Sequence, residues 1–297
     1  IYRAAKTLNK KAYIVIDNPT SSIIPLMNTF RDNQDYEADM FVNNHEAKEI
    51  MDDNTLLVVV DTNKPSITQC EDLLYMAKMI VVLDHHRQGS DTIRNSVLSY
   101  IEPYASSASE MVAEILQYFT EGIRIRNVEA DSIYAGIMID TDNFMQKTGV
   151  RTFEAAAFLR RCGADVTRVR KLFREDMNDY KARGETIRNA ELFRGQFAIS
   201  ECPSDYVDSP TVVGAQAANE LLNIVGVKAS FVLTEYKGVI YISARAIDEV
   251  NVQIIMERMG GGGHLNMAGC QLETVNMEGA RNLLKSTLTE MQDGGEI

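Results

Sequence analysis

The apolar run Ile80-Val81-Val82-Leu83 stops at Asp84, and His85, His86 and Arg87 follow without a spacer. A carboxylate and two imidazoles side by side are metal ligands and proton carriers. In α/β proteins ligands bind outside the carboxyl ends of the strands, so a buried strand with these groups at its tip presents them at a cleft. A strand ending in an ordinary polar loop is the plainer reading. Two further acids weigh against it, because Asp61 ends one apolar run and Asp140 another. Asp61 and Asp84 follow successive strands, so their tips are expected to be neighbours. Hard oxygen ligands mixed with one or two histidines suit Mn²⁺ better than structural zinc. Two such ions about 3.5–4 Å apart form an arrangement for phosphoester hydrolysis, in which one activates water and both hold phosphoryl oxygens.

A second signal stands near the other end. Gly260, Gly261, Gly262 and Gly263 run directly into His264. Such a run costs conformational entropy. It also removes every side chain that would keep a ligand from the backbone, and its N–H groups can form an anion-binding nest. His264 can donate to a phosphate oxygen. A flexible surface loop explains the glycines alone less well once Ser243-Ala244-Arg245 ends a strand in the same half. Other polar groups read more plainly. His45 sits among Asn and Glu at a helix start, a surface position. Ser106 and Ser107 read as helix caps, since no positioned base stands near them. The 14 methionines fall at packing positions. Asp142 and Asn143 flank Asp140 as capping or supporting groups, Asn143 as the latter.

These residues need elements to carry them. Strands are expected at 12–16, 55–60, 79–83 and 97–101, with helices between, which predicts a parallel sheet with crossovers. The 55–60 run is nearly all β-branched or leucine, the pattern of a strand buried on both faces. Ser21 or Ser22 is expected to cap a helix reaching 31, and Asn44 another. A helix is expected at 67–77. Ser107, three residues before Glu110, makes a capping-box pattern. A helix over 129–140 leads into Asp140. Residues 165–194 are charged, helical and rich in arginine, and read as a connection with a solvated face. Beyond it come a strand at 196–200, a helix at 210–224 and a hairpin (228–236 and 239–246) turning on Lys237-Gly238. A helix at 252–259 runs into the glycines, followed by a strand at 270–275 and a helix at 278–291. The expected fold class is α/β: a parallel-sheet domain with flanking helices over 1–176, a helical linker at 177–194, and a smaller α/β domain over 195–297 across a cleft.

The bulk numbers agree. A chain of 297 residues suggests two domains at about 100–200 residues each. A net charge of −12 argues against a duplex nucleic acid surface, since phosphate contacts need Lys and Arg. Cys70, Cys162, Cys202 and Cys270 form no CxxC and read as reduced, cytosolic cysteines. No apolar run approaches the ~18 residues of a membrane helix. The start at Ile1, inside a helical pattern, reads as part of a longer protein.

Val60-Asp61-Thr62, Leu83-Asp84-His85-His86-Arg87, Ile139-Asp140-Thr141-Asp142-Asn143-Phe144 and Gly260 to His264 come in the order of the DHH/DHHA1 phosphoesterases. The chain resembles that family along its whole length. Tyr104 to Glu110, Ile242-Ser243-Ala244-Arg245 and Asn251 to Met256 look most like its GdpP-type cyclic-di-AMP phosphodiesterases. The resemblance implies a phosphoric diester hydrolase that opens cyclic di-AMP, or another cyclic dinucleotide, to the linear form by two-metal activation of water. Mn²⁺ is the implied cofactor and the implied assembly is a homodimer. The parent would be held at the cell membrane by a region outside this sequence, with these domains in the cytoplasm. Residue by residue, Asp61 resembles the carboxylate bridging both ions, and His85 and Asp140 resemble ligands of one ion. His86 would contact the scissile phosphate and Asp84 would orient a histidine. Gly261, Gly262, Gly263, His264, Arg245 and Ser243, with Asn143, would hold the rest of the nucleotide. The family's first motif, a His and two Asp after the first strand, is absent from this sequence. The sequence as it stands is therefore expected to bind metal weakly and to be inactive unless a preceding segment supplies those ligands. Two rivals stay open. A short-oligoribonucleotide exonuclease or adenosine bisphosphate phosphatase of the same superfamily would prefer linear substrates. A degenerate nucleotide sensor would bind through the glycines without metal.

Overall fold

The computed structural model describes every residue except 20–22, 175 and 248. The expected cap at Ser21 or Ser22 lies outside the described residues. The chain divides into two compact units, Ile1–Arg174 and Glu175–Ile297. Among the described residues no helix is long and apolar enough to cross a membrane.

The first unit opens with α1 (Tyr2–Thr7), β1 (Ile14–Val15), α2 (Ile24–Arg31), β2 (Phe41–Val42) and α3 (Asn44–Ile50). β1 and β2 pair in parallel. Asn43, not Asn44, caps α3: its side chain accepts from the N–H of His45 and Glu46, and Glu46 accepts from the N–H of Asn43. Next come β3 (Leu56–Val60), α4 (Asp72–Met76), β4 (Met79–Asp84) and β5 (Leu98–Ile101). The three strands form a parallel sheet in the order β3-β4-β5. Central β4 buries Ile80, Val82, Leu83 and Asp84. β3 departs from the expected two-sided burial, with Leu56 51% and Val60 43% exposed. It stands at the sheet edge, where one flank has no neighbouring strand among the described residues. The expected 67–77 helix is also cut back, to a 3₁₀ turn at Pro65–Ile67 and the short α4. The Thr68 hydroxyl donates to the carbonyl of Pro65 at 2.7 Å, a local bond that competes with helix propagation.

Four helices complete this unit: α5 (Ala108–Tyr118), α6 (Asn127–Asp140), α7 (Val150–Arg161) and α8 (Val166–Leu172). Ser107 caps α5 through the N–H of Glu110. The return bond runs one residue early, with Glu110 accepting from the N–H and hydroxyl of Ser106. α5 lays Val112 and Leu116 against Val81 and Leu83 of β4. α6 approaches α5 so closely that a Cβ on Gly136 would stand 2.1 Å from Ser109 Oγ. At its start Glu129 is gripped by the Arg3 guanidinium at 2.6–2.9 Å, by the Tyr36 hydroxyl at 3.0 Å and by the Arg126 N–H at 2.9 Å. The strut that ends in Asp140 is thus fixed along its length.

The second unit comprises α9 (Met177–Arg188), β6 (Glu191–Phe193), β7 (Phe197–Cys202), α10 (Pro210–Leu221), β8 (Ala229–Tyr236), β9 (Val239–Ala246), α11 (Val252–Arg258), β10 (Gly262–His264), β11 (Met267–Leu272) and α12 (Met277–Asp293). Its six strands run in the order β10-β11-β9-β8-β7-β6. The β7–β8 pair is parallel and the other pairs are antiparallel. Lys237 (φ 53°) and Gly238 (φ 78°) turn the expected hairpin, both with the positive φ that a type I′ turn requires. One face of the sheet carries α11 and α12 through Ile255, Met256, Leu284 and Leu288. The other carries α9 and α10 through Ala182, Val213, Ala217 and Leu221. The 177–194 stretch, expected as a linker, is therefore built into this unit. Ala182 and Thr186 are buried, and β6 adds an edge strand to β7.

Candidate metal centre

The tips of β3 and β4 are joined where the site begins. Val60 stands opposite Leu83 in the parallel register. One residue on, the Asp61 N–H donates to the Leu83 carbonyl at 3.0 Å. Asp61 adopts φ 65°, an uncommon conformation for a non-glycine residue. The bend turns its carboxylate toward the next strand's tip. His85 Nε2 lies 3.3 Å from Asp61 Oδ1 and 3.9 Å from Asp140 Oδ2. Asp61, His85 and His86 each offer a ligand atom, and these atoms all lie within 4.8 Å of one another. The ring centroids of His85 and His86 are 4.4 Å apart.

The electrostatics follow from this crowding. The His85 imidazole is held above its ordinary range, chiefly by the hydrogen bond to Asp61, with the charges of Asp140 and Asp61 adding and burial opposing. The Ala105 backbone raises it slightly further. The Asp140 carboxyl is pushed up, first by burial and then by the neighbouring Asp61 charge. Asp140 is also the last residue of α6, at the helix end that disfavours an anion. Two carboxylates crowded against one imidazole form a group that a divalent cation would relieve. The mixed oxygen and nitrogen donors fit a hard or borderline ion such as Mn²⁺.

Asp84 plays a different part. It is fully buried at the end of β4. Its Oδ1 accepts from His86 Nδ1 at 2.7 Å and from the His86 N–H at 3.1 Å. Its Oδ2 accepts from Asn63 Nδ2 at 2.6 Å. Asn63 is 2% exposed, and sequence reasoning gave it no role. An Asn after a strand is compatible with an ordinary turn, so its identity alone carries no signal. Asn143 is exposed with φ 58°, and its N–H closes the end of α6 on the Met138 carbonyl at 2.8 Å.

The glycine run belongs to the second unit, and its members differ. Gly260 follows α11 with φ 86°, a left-handed residue that ends the helix. A Cβ on Gly261 would meet the Gly269 carbonyl oxygen at 2.1 Å and Cys270 Cβ at 2.4 Å. A Cβ on Gly263, at φ 148°, would meet Ala268 Cα and the Met267 carbonyl oxygen, each at 2.5 Å. Both close approaches come from β10 lying on β11, so backbone packing requires these two glycines. Gly262 alone has neither constraint, with nothing within 4 Å of an added Cβ and no left-handed φ. What was expected as a loop is in part the strand Gly262–His264, and His264 is exposed on it.

Ser243 and Arg245 project from the same face of β9, opposite Gly269 and Met267. A cavity of about 520 Å³ is lined by Ser243, Tyr241, Thr211, Gly261 and Gln271, among others. Gly262, Gly263, His264 and Arg245 do not line it. Arg245 is half-buried, and burial pushes its guanidinium below the ordinary range. Its Nη1 donates to the Ala244 carbonyl, while its buried Nε has no partner among the described residues.

Residues 7–137 match the DHH family, N-terminal domain, and residues 197–290 match the DHHA1 domain. The chain belongs to the DHH/DHHA1 family. It is 41% identical over 301 residues to the cyclic-di-AMP phosphodiesterase GdpP of Bacillus subtilis, covering 99% of this chain and 45% of that protein. It is 38% identical over 291 residues to the cyclic-di-AMP phosphodiesterase PdeA of Listeria monocytogenes, covering 97% and 44%. The chain thus spans less than half the length of these curated relatives. An exopolyphosphatase-related protein from Bacteroides fragilis shares the fold, with a TM-score of 0.81 at 20% identity over 98% of this chain and 86% of that one.

Proposed function

We propose that this chain is the catalytic region of a metal-dependent phosphodiesterase that opens cyclic di-AMP to the linear dinucleotide. The observation that carries the reading is the convergence of Asp61, His85 and His86 at the tips of adjacent parallel strands, with Asp140 beside them. The similarity to two cyclic-di-AMP phosphodiesterases over nearly the whole chain supports the substrate. Asp61, His85 and Asp140 would hold Mn²⁺. Bound divalent cations supply an activated water and a clamp on the phosphoryl oxygens.

The chain's own residues do the rest. His86, held at Nδ1 by Asp84, turns Nε2 toward the scissile phosphate and manages a proton there. In the second domain the unpartnered Arg245 Nε is a donor available to an anion. Gly262 leaves the backbone open to a ligand, and Ser243, Gly261, Gly263, His264 and Asn143 complete the proposed nucleotide contacts. In the whole protein this region would act as a homodimer on the cytoplasmic side of the membrane.

The test uses the full-length protein with Mn²⁺. Rates on cyclic di-AMP and on linear dinucleotides are compared, and Asp61→Ala and His85→Ala are assayed beside the wild type. The reading requires the cyclic substrate to be preferred and both variants to lose turnover. A preference of about a hundredfold for the linear substrate would replace it with short-oligonucleotide trimming. Retained turnover in both variants would remove the metal assignment.

A further inference from the structure

We propose that Asn63 is a positioning residue for His86, acting through Asp84; the inference rests on the phosphodiesterase reading above. The amide sits at the centre of a small buried network. Its Nδ2 donates to Asp84 Oδ2 at 2.6 Å and to the His86 carbonyl at 3.3 Å. The backbone carbonyl of Asn63 accepts from the Ile93 N–H at 2.9 Å. One residue thus ties together the tip of β4, the turn that carries His86, and the segment leading to β5.

The geometry fixes what the network does. A carboxylate only accepts, so the 2.7 Å contact between His86 Nδ1 and Asp84 Oδ1 places the ring proton on Nδ1. Nε2 is then left free to face the reacting group. That assignment holds only while Asp84 keeps its plane. Asp84 Oδ1 serves the ring and backbone of His86, and Oδ2 depends on Asn63. Without the amide the carboxylate can rotate about its Cβ–Cγ bond and release the ring.

The other amide atom, Oδ1, is buried and has no partner among the described residues, so the side-chain hydrogen bonds of Asn63 all run through its N–H₂ group to Asp84 and His86. The hydrogen bonds of Asn63 run to Asp84 and His86 and not to Asp61, His85 or Asp140, the residues proposed to hold the metal, so its effect should appear in turnover rather than in metal affinity.

The experiment is a double-mutant cycle in the full-length protein: wild type, Asn63→Ala, His86→Ala and the double variant, each with Mn²⁺ and cyclic di-AMP. Asn63→Ala is expected to lower kcat about 10–100-fold, with KM and the calorimetric Mn²⁺ affinity changed by less than about threefold. In the His86→Ala background the same substitution should lower kcat by less than about twofold, because the group it positions is gone. Equal losses in both backgrounds, or a loss confined to melting temperature or Mn²⁺ affinity, would overturn the proposal. Asn63→Ser repeats the contrast if the alanine variant does not fold. Long-range ¹H–¹⁵N spectra of metal-free protein give an independent reading: one Nδ1–H tautomer for His86 in the wild type, and a mixture in Asn63→Ala. An unchanged tautomer would also overturn it. If the wild type opens no cyclic dinucleotide, the functional reading fails, and the spectra still decide the role of Asn63.

Discussion

Two adjacent glycines, Gly261 and Gly262, should answer the same substitution in opposite ways. An alanine Cβ at Gly261 would stand 2.1 Å from the Gly269 carbonyl oxygen and 2.6 Å from Cys270 Cα. Both atoms are backbone of β11, which is held on its far side by the ladder to β9, so neither can swing aside like a side chain. Overpacking of this kind costs about 1–3 kcal/mol, and a backbone clash belongs at the upper end. About 3 kcal/mol corresponds to a fall of about 10 °C in melting temperature for a domain of this size. An alanine at Gly262 meets nothing within 4 Å and no left-handed φ. Its effect should stay within about 0.5 kcal/mol, with a small gain from the lower entropy of the unfolded chain. The assay is thermal melting of the purified chain carrying each single substitution, followed by titration of cyclic di-AMP. Gly261→Ala should melt low. Gly262→Ala should melt with the wild type yet bind the nucleotide more weakly, since its Cβ would occupy the space offered to a ligand. Equal melting temperatures for the two variants would refute the packing argument. Full nucleotide affinity in Gly262→Ala would refute the ligand argument and leave the packing one standing.

Three other perturbations test the first unit. Asp140→Asn should raise the melting temperature of metal-free protein at neutral pH, because burial and Asp61 hold that carboxyl above its ordinary range; it should also weaken Mn²⁺ binding at least tenfold, and calorimetry checks both directions. The His85 imidazole is raised by its bond to Asp61. Its contribution to metal-free stability is thus full below the unfolded value of about 6.5 and is lost as pH rises through the higher folded value. Mn²⁺ affinity should rise over the same window, since a ligand must shed its proton, and a pH series of melts and titrations measures the two opposed trends. Glu129→Ala removes the partner of Arg3, Tyr36 and the Arg126 N–H. A broken, largely buried pair costs about 3 kcal/mol, and chemical denaturation should show it together with a loosened Mn²⁺ site, because α6 carries Asp140 at its far end.

Much of the site could be read before folding. Asp61, Asp84, His85 and His86 stand where apolar runs stop, and a short run of β-branched residues and leucine bounded by polar groups reads as a strand. Lys237-Gly238 announced its hairpin for the same local reason, since positive φ at both residues selects one turn. The ends of β4 and of the hairpin strands were legible within a residue, whereas the cap of α3 fell on Asn43 in place of Asn44 and the 67–77 helix was cut back. Tertiary structure decided everything that depended on residues far apart in the chain. It placed Asp140 of α6 against His85, the residue just past β4, left β3 on the sheet edge with Val60 exposed, and absorbed 177–194 into the second unit through Ala182 and β6. It sorted the glycine run into two that backbone packing demands, one that ends a helix, and one with open space around it. It also turned Asn63, indistinguishable in sequence from a turn residue, into the buried partner of Asp84. Residue type and neighbours determine local conformation and the chemistry on offer. Only packing determines which of those groups come within hydrogen-bonding distance, because burial and close approach belong to the assembled layers.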